Sequence, residues 1–362
     1  MAKTREVHLL VGTRKGGFVF RSDLRRRAWR VEGPFFAGQE VNHLVRDPRT
    51  GRLYAAVTTS WFGTDLQVSA NHGKTWRKSS AGLGFAPDRG LNLKRIWHVT
   101  PGGDARPETL WCGVDPGALF RSDDGGKNWH EVKSLTTHPT RERWQPGAGG
   151  LMVHTIVPDP QNHERMYVAI SAAGCFRTDD GGQSWRPMNK NVRTDFLPNK
   201  FPEVGQCVHK MAMDPRRSEV LYQQNHCGVY RSDDGAATWK DISPGLPSRF
   251  GFPMVVHPHE SGAIYVVPQV SAFNRYVPRG QFTVWRSRNG GRSWRRLTRG
   301  LPQRHAYLGV LRDAAAADSC DQAGIHVGAT GGEIFYPRNA GDSWDLLHAH
   351  LPAVLSLEAS VV

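Results

Sequence analysis

A tryptophan recurs along this chain as Trp29, Trp76, Trp129, Trp185, Trp239, Trp294 and Trp344, in steps of 47, 53, 56, 54, 55 and 50 residues. Each closes a string of one shape: FRSDLRRRAW, VSANHGKTW, FRSDDGGKNW, FRTDDGGQSW, YRSDDGAATW, WRSRNGGRSW and FYPRNAGDSW, with Ser, Thr or Pro seven residues before the Trp. A period of this size marks a supersecondary unit that buries its apolar face only against copies of itself. Seven copies are present, so the fold must be assembled from seven similar pieces.

Within a unit, apolar runs such as HTIVPDP, RMYVAIS and GCFRT are separated by Gly, Asp and Pro, and a last run starts at the Trp. These lengths predict four short strands and almost no amphipathic helix. Glycine, 39 of 362 residues, exceeds the usual ~7%, as many tight turns require. Four-stranded sheets repeated around an axis make a propeller. The prediction is an all-β, single-domain, seven-bladed β-propeller over residues 1–362. EVHLLVGT matches the second strand of other units, and PAVLSLEASVV, after the last Trp, is placed to supply the missing first strand. Blade 1 then combines residues 353–362 with 6–34, blades 2–7 occupy about 40–350, and the closed ring has no open edge.

The string Ser-x-Asp-x-Gly-x-Thr-Trp resembles the Asp box, the bacterial neuraminidase repeat of sialidases and related propellers. Ser122, Asp124, Gly126 and Trp129 carry it, as do Thr178, Asp180, Gly182, Ser184 and Trp185, and Asp234 with Trp239. Asn71, Asn289 and Asn339 replace the acid in three units, and Leu24 in the first. The motif's chemistry is structural: a short carboxylate or amide accepts backbone N–H bonds in a tight turn, Gly takes a positive φ, and Trp packs between sheets. The pairs Asp123–Asp124, Asp179–Asp180 and Asp233–Asp234 therefore read as turn residues, not catalytic pairs. The resemblance to sialidases ends there, because those enzymes are six-bladed and use an Arg-Ile-Pro motif, whereas the nearest string here is Arg95-Ile96-Trp97. Xyloglucanase-like, sortilin-like and photosystem-assembly-factor-like propellers share the repeat and differ in activity, so function must be argued from a site.

Chain direction alternates from strand to strand, which puts the Asp boxes and the Asp-Pro turns at Asp47, Asp159 and Asp214 on one face, the bottom. The top face begins with the first strands. NHLV, RIWHV, VHTIV, VHKMAM and HAYLGV place His43, His98, His154, His209 and His305 at comparable positions around the axis, and GFPMVV places Phe252 there. Turns between second and third strands add Asp115, Asn225 and His226. The links TTHPTRERWQPGAGG and KNVRTDFLPNKFPEVGQ should cover this face beside blades three to five, and long loops in compact domains often bind ligands.

Neutral imidazoles from neighbouring strands suit a divalent transition metal with an open position for water or substrate. His98, His154 and His209 are the first candidates and His226 a fourth. Alternatively the imidazoles line the channel, bonded to backbone and water, with one as general base. Glycoside hydrolysis needs two carboxylates about 5–9.5 Å apart, and Glu142 and Glu203, on the long links, join the histidines as catalytic candidates. Lys94 and Arg95 can orient an anion, with Trp97, Asp115, Gln206, Asn225, His43 and His305 completing a substrate-binding set. Cys207 and Cys227, near His209 and His226, could make a thiolate pair, although buried inert cysteine is the commoner role.

Lys and Arg number 47 against 33 acids, giving +14, and the charge is spread along the chain. That favours an anionic small molecule over nucleic acid as partner. No apolar stretch of about 18 residues and no signal-peptide core appear, so the expectation is a cytoplasmic protein without a membrane partner. Five cysteines without CxxC spacing indicate neither a disulfide framework nor a zinc knuckle. The expected function is a hydrolase or lyase acting on a polar or anionic, sugar-like small molecule in a pocket between blades two and five; the alternative is a non-catalytic propeller scaffold.

Overall fold

The protein is described by a computed structural model covering residues 5–337 and 341–362. Seven antiparallel four-stranded sheets form the ring. Blade 1 takes its innermost strand, Val354–Val361, from the far end of the chain and continues outward through Glu6–Thr13, Gly16–Asp23 and Trp29–Phe35. The innermost strands of blades 2 to 7 are Glu40–Arg46, Arg95–Pro101, Val153–Pro158, Val208–Met213, Gly251–Val256 and Ala315–Ala317. Reciprocal backbone bonds between Glu6 and Val362, at 3.0 and 2.9 Å, finish the closing ladder. The seven blades and the closure are as the repeats predict. Among the described residues no helix is long and apolar enough to cross a membrane.

The bottom turns are built by short polar side chains. In blade 3 the Ser122 hydroxyl donates to Asp124 Oδ1 (2.8 Å) and accepts the Gly126 N–H (2.9 Å), while Asp124 Oδ1 accepts the N–H groups of Lys127 and Asn128, both at 2.9 Å. Gly126 makes the turn at φ +87°. Burial opposes ionisation of Asp124, but these donors outweigh it and hold the carboxyl at about 2. Thr178 with Asp180 and Ser232 with Asp234 repeat the geometry. Asn71 and Asn289 preserve it through their amide oxygens, each accepting a backbone N–H four residues on. Asn339 lies outside the described residues.

Three motif tryptophans then tie their blades to the one before through the indole nitrogen. Trp129 and Trp239 are almost wholly buried, and their indole N–H groups donate to the carbonyls of Ser79 and Met188, both at 2.8 Å; Trp294 donates to Ile242 at 2.9 Å. The inner strands pack closely as well. A Cβ on Gly113, in blade 3, would meet the Val153 carbonyl of blade 4 at 2.2 Å, so only glycine admits the neighbour there.

Blade 1, whose motif has Leu24 for the acid, uses a different clasp. Arg26 reaches across to blade 7 and donates to both oxygens of Asp318 at 3.0 Å, and His326 Nε2 lies 2.9 Å from the same carboxylate. All three side chains are buried. Burial alone would raise the Asp318 carboxyl, yet His326 and Arg26 hold it at about 2.

One strand assignment is corrected. HAYLGV is not the inner strand of blade 7; His305 stands exposed in a loop at φ +53°, and the strand is Ala315–Ala317, ten residues beyond His305. Three alanines carry no alternating apolar signature, so HAYLGV offered the stronger pattern. His305 therefore does not belong to the channel-lining substrate set.

Candidate functional site

The top face is organised by a repeated irregularity. Near its start, each inner strand of blades 1 to 6 skips a partner: the unpaired positions are Leu355, Asn42, Trp97, His154, His209 and the Phe252–Pro253 pair. A β-bulge bends the strand and re-aims a side chain. The histidines that share a place in the sequence pattern consequently divide between two levels. His154 and His209 are the bulge residues of blades 4 and 5, while His43 and His98 follow the bulges of blades 2 and 3.

The lower level is a polar floor. Lys210 donates to Asp313 Oδ1 at 2.5 Å, His98 Nδ1 lies 3.8 Å from the same oxygen, and His43 Nε2 lies 3.1 Å from Glu358 Oε1. The rings of His43 and His98 are 4.4 Å apart. Burial, then the nearby His43 and Lys210, push His98 well below the ordinary imidazole range, so it is neutral. Burial works against the Asp313 anion, but Lys210 and His43 outweigh it and lower its pKa.

The upper level opens into two adjoining cavities of about 240 and 640 Å³ that share Gly149, Phe252, Arg275 and Arg312. Arg312 lies between two aromatic faces, 5.3 Å from the Trp97 ring and 5.7 Å from Phe252, and Arg275 covers Phe252 at 5.6 Å. Arg95 stacks on Trp97 at 5.3 Å but is already paired with Glu40 at 3.1 Å. Among the described residues neither Arg275 nor Arg312 forms a salt bridge. Arg312 donates only to the Met152 sulfur, and Arg275 to the Ala272 carbonyl. Two guanidinium groups without carboxylates, set on aromatic faces, are suited to a ligand carboxylate or phosphate.

The larger cavity is walled by blade 5. His209 Nδ1 meets the Gly251 carbonyl at 2.6 Å; a carbonyl only accepts, so the proton sits on Nδ1 and the Nε2 lone pair is free. Burial, reinforced by Arg312, lowers the His209 pKa well below the ordinary value. His226 stands beside it with ring centroids 5.7 Å apart, packed on Phe196 and Phe250, and burial lowers its pKa too. The ligand-type atoms of Cys207, His209 and His226 all lie within 4.8 Å of one another.

The remaining expected site residues fall as follows. His154 has both ring nitrogens engaged, Nδ1 with the Thr155 hydroxyl and Nε2 with the Val208 carbonyl, each at 2.9 Å. Among the described residues the set that gathers is Cys207, His209 and His226, not His98, His154 and His209. Glu203 pairs with Arg143 on the exposed links and Glu142 is exposed; neither lines either of these two cavities. Lys94 is exposed, and its N–H donates to the Asp115 carbonyl at 2.8 Å. Burial raises the Asp115 carboxyl against the pull of Lys94 and Arg95. Gln206 and Asn225 are fully buried and hold local backbone: Gln206 Nε2 donates to Pro202 O, and Asn225 Oδ1 accepts the Cys227 N–H in the turn carrying His226. Cys227 Sγ accepts the Asp195 N–H at 3.3 Å instead of pairing with Cys207.

The cavity also sits farther round the ring than expected, over blades 4 to 7. Its walls include Phe273 and Arg275 from a long turn between Ile264–Pro268 and Val284–Ser287 of blade 6, a segment that carries no repeat signature. Arg312 and Arg275, absent from the expected set, line both cavities and form no salt bridge among the described residues, with Asp313 the nearby acid that acts on Arg312; the only sequence signal for them is that they are basic residues in non-repeating stretches.

Comparisons with known proteins agree with this architecture. The BNR/Asp-box repeat model matches residues 120–131. An oligoxyloglucan-reducing end-specific xyloglucanase of Emericella nidulans is 22% identical over 82% of this chain, which spans 39% of that enzyme's length. The GH74 enzyme of Niastella koreensis superposes on 97% of this chain and 51% of its own, with TM-score 0.60 and 17% identity. YCF48 from Cyanidioschyzon merolae superposes over 85% of each chain, with TM-score 0.57 and 14% identity. At these identities the likeness is one of fold.

Proposed function

We propose that the chain is a hydrolase for a small anionic, sugar-like molecule bound in the top-face cavity. The observation that carries the reading is the pair Arg275 and Arg312, which form no salt bridge among the described residues and are laid on Phe252 and Trp97 at the rim of a 640 Å³ cavity. Guanidinium groups select the anion, and aromatic faces suit the apolar face of a sugar ring. In this reading His209 is the general base that deprotonates water, a role supported by its Nδ1 bond to the Gly251 carbonyl, which leaves the Nε2 lone pair free. The xyloglucanase relatives support action on a saccharide, while the Arg pair argues for a charged one.

Calorimetric titration of a panel of neutral sugars, aldonates and uronates tests this. Carboxylate-bearing members should bind, and Arg312→Gln with Arg275→Ala should weaken them about tenfold or more; equal binding of the neutral sugars overturns the reading. Chromogenic esters and glycosides of the best binder should then turn over in wild type and not in His209→Ala.

A second reading rests on a separate observation. The exposed aromatics Trp61, Phe62, Phe196, Phe201, Phe273 and Tyr307 all stand on segments of the top face, Trp61 at 90% and Phe273 at 95% exposure. A rim of this kind also suits a non-catalytic binding module that docks an extended partner across the mouth.

A further inference from the structure

We propose that Cys207, His209 and His226 form a binding site for one transition-metal ion of the zinc class at the wall of the larger cavity. The inference rests on the site named above, uses none of its arginines as ligands, and replaces one role there: with His209 Nε2 on the ion, activation of water passes from His209 to the metal.

Four features of blade 5 converge. The three ligand-type atoms lie within 4.8 Å of one another, and around a tetrahedral ion with bonds of about 2.0–2.3 Å such atoms stand about 3.5 Å apart, so small side-chain shifts complete the set. The residues are fixed by backbone: the His226 N–H donates to the Cys207 carbonyl at 2.9 Å, and Cys207 and His209 flank Val208, which is paired with Asn225. His209 is oriented by the Gly251 carbonyl on Nδ1, the outer-shell contact that fixes a metal-binding imidazole and aims its other nitrogen at the ion. All three residues line the open cavity, which leaves a fourth position for water or for an anion held by Arg312.

The donor chemistry selects the ion. One thiolate with two imidazoles is a soft to borderline set that suits zinc, cobalt or copper and excludes magnesium and calcium, which take oxygen ligands. The thiolate charge offsets part of the repulsion from Arg312 and Arg275.

The full chain, stripped with a chelator, should bind one cobalt(II) per molecule, with a near-ultraviolet thiolate charge-transfer band and the intense visible bands of four-coordinate geometry. Zinc should displace it in a one-to-one ratio. Cys207→Ser should abolish the charge-transfer band, His226→Ala should weaken zinc binding about tenfold or more, and Cys227→Ser should change neither. Zinc bound equally well by Cys207→Ser and His226→Ala, or substoichiometric binding by wild type, overturns the proposal. Should Cys207→Ser not fold, alkylation of wild-type Cys207 by iodoacetamide tests the same ligand, with protection by zinc expected and an unchanged rate contradicting it. Anion titration of the stripped chain separates the two readings: binding that depends on Arg275 and Arg312 persists if only the metal proposal fails.

Discussion

The two faces of the ring are made by opposite means. On the bottom, one device recurs: a hydroxyl and a short acid or amide tie a turn, and in three blades the tryptophan that follows donates to the blade before it. On the top, one backbone device also recurs, the bulge near the start of the inner strands of blades 1 to 6, but the residue it presents changes from Asn42 to Trp97, His154, His209, Phe252 and Leu355. Repetition with constant chemistry serves stability. Repetition of the backbone with varied chemistry builds one asymmetric site from symmetric parts.

This contrast can be broken first at the closure. Deleting residues 352–362 removes the innermost strand of blade 1 and exposes the edge of Glu6–Thr13, so the cooperative thermal transition should disappear; a melting temperature equal to wild type would show that the ring does not depend on that strand. Next is the clasp between blades 1 and 7. Arg26→Ala leaves the buried Asp318 carboxylate without its cationic partner, held by His326 and the N–H groups of Cys320 and Gly324, and chemical denaturation should show a loss of about 3–5 kcal/mol. Trp239→Ala, in the regular part, should cost about 3–5 kcal/mol, whereas Trp61→Ala on the top rim should stay within about 0.5 kcal/mol while weakening any partner that docks there.

Acid should sharpen the contrast in two separate windows. His98, His154 and His209 have folded pKa values well below 6.5, so the unfolded chain binds more protons than the folded one below that pH. Their contribution is present above about pH 6.5 and is lost as pH falls, so the melting temperature should begin to drop there. His154→Gln, which can keep hydrogen bonds to Thr155 and Val208, should flatten the slope. The depressed carboxyls Asp124 and Asp318 act lower: their contribution is complete above about pH 4 and disappears as pH approaches 2. A single bottom turn should cost less than the clasp or a buried tryptophan. Asp234→Ala removes the acceptor of the Thr238 N–H and should cost about 1 kcal/mol by denaturation, with no change in ligand binding.

The same contrast explains what could be read from the chain. Seven tryptophans at a near-constant period, each with its turn string, state the blade count and the closure directly, because the physics of a turn and a packed indole is local. The site is not local. An inserted bulge residue leaves no mark in the apolar pattern, so four aligned histidines looked equivalent although His43 and His98 lie at a different level from His154 and His209. His305 was drawn into the set by HAYLGV, since the actual inner strand, Ala315–Ala317, has no apolar alternation. Arg275 and Arg312 sit in stretches outside the repeat, and only the folded ring reveals that they line the cavity with no salt bridge among the described residues.

The division of labour between the faces is tested most directly by measuring ligand affinity and melting temperature together in two variants, Arg275→Ala on the top and Asp234→Ala on the bottom. A uronate or aldonate identified in the binding panel should lose about tenfold or more in affinity with Arg275→Ala at an unchanged melting temperature, and Asp234→Ala should show the reverse. Equal loss of affinity in both, or no loss with Arg275→Ala, would contradict the assignment of binding to the top face.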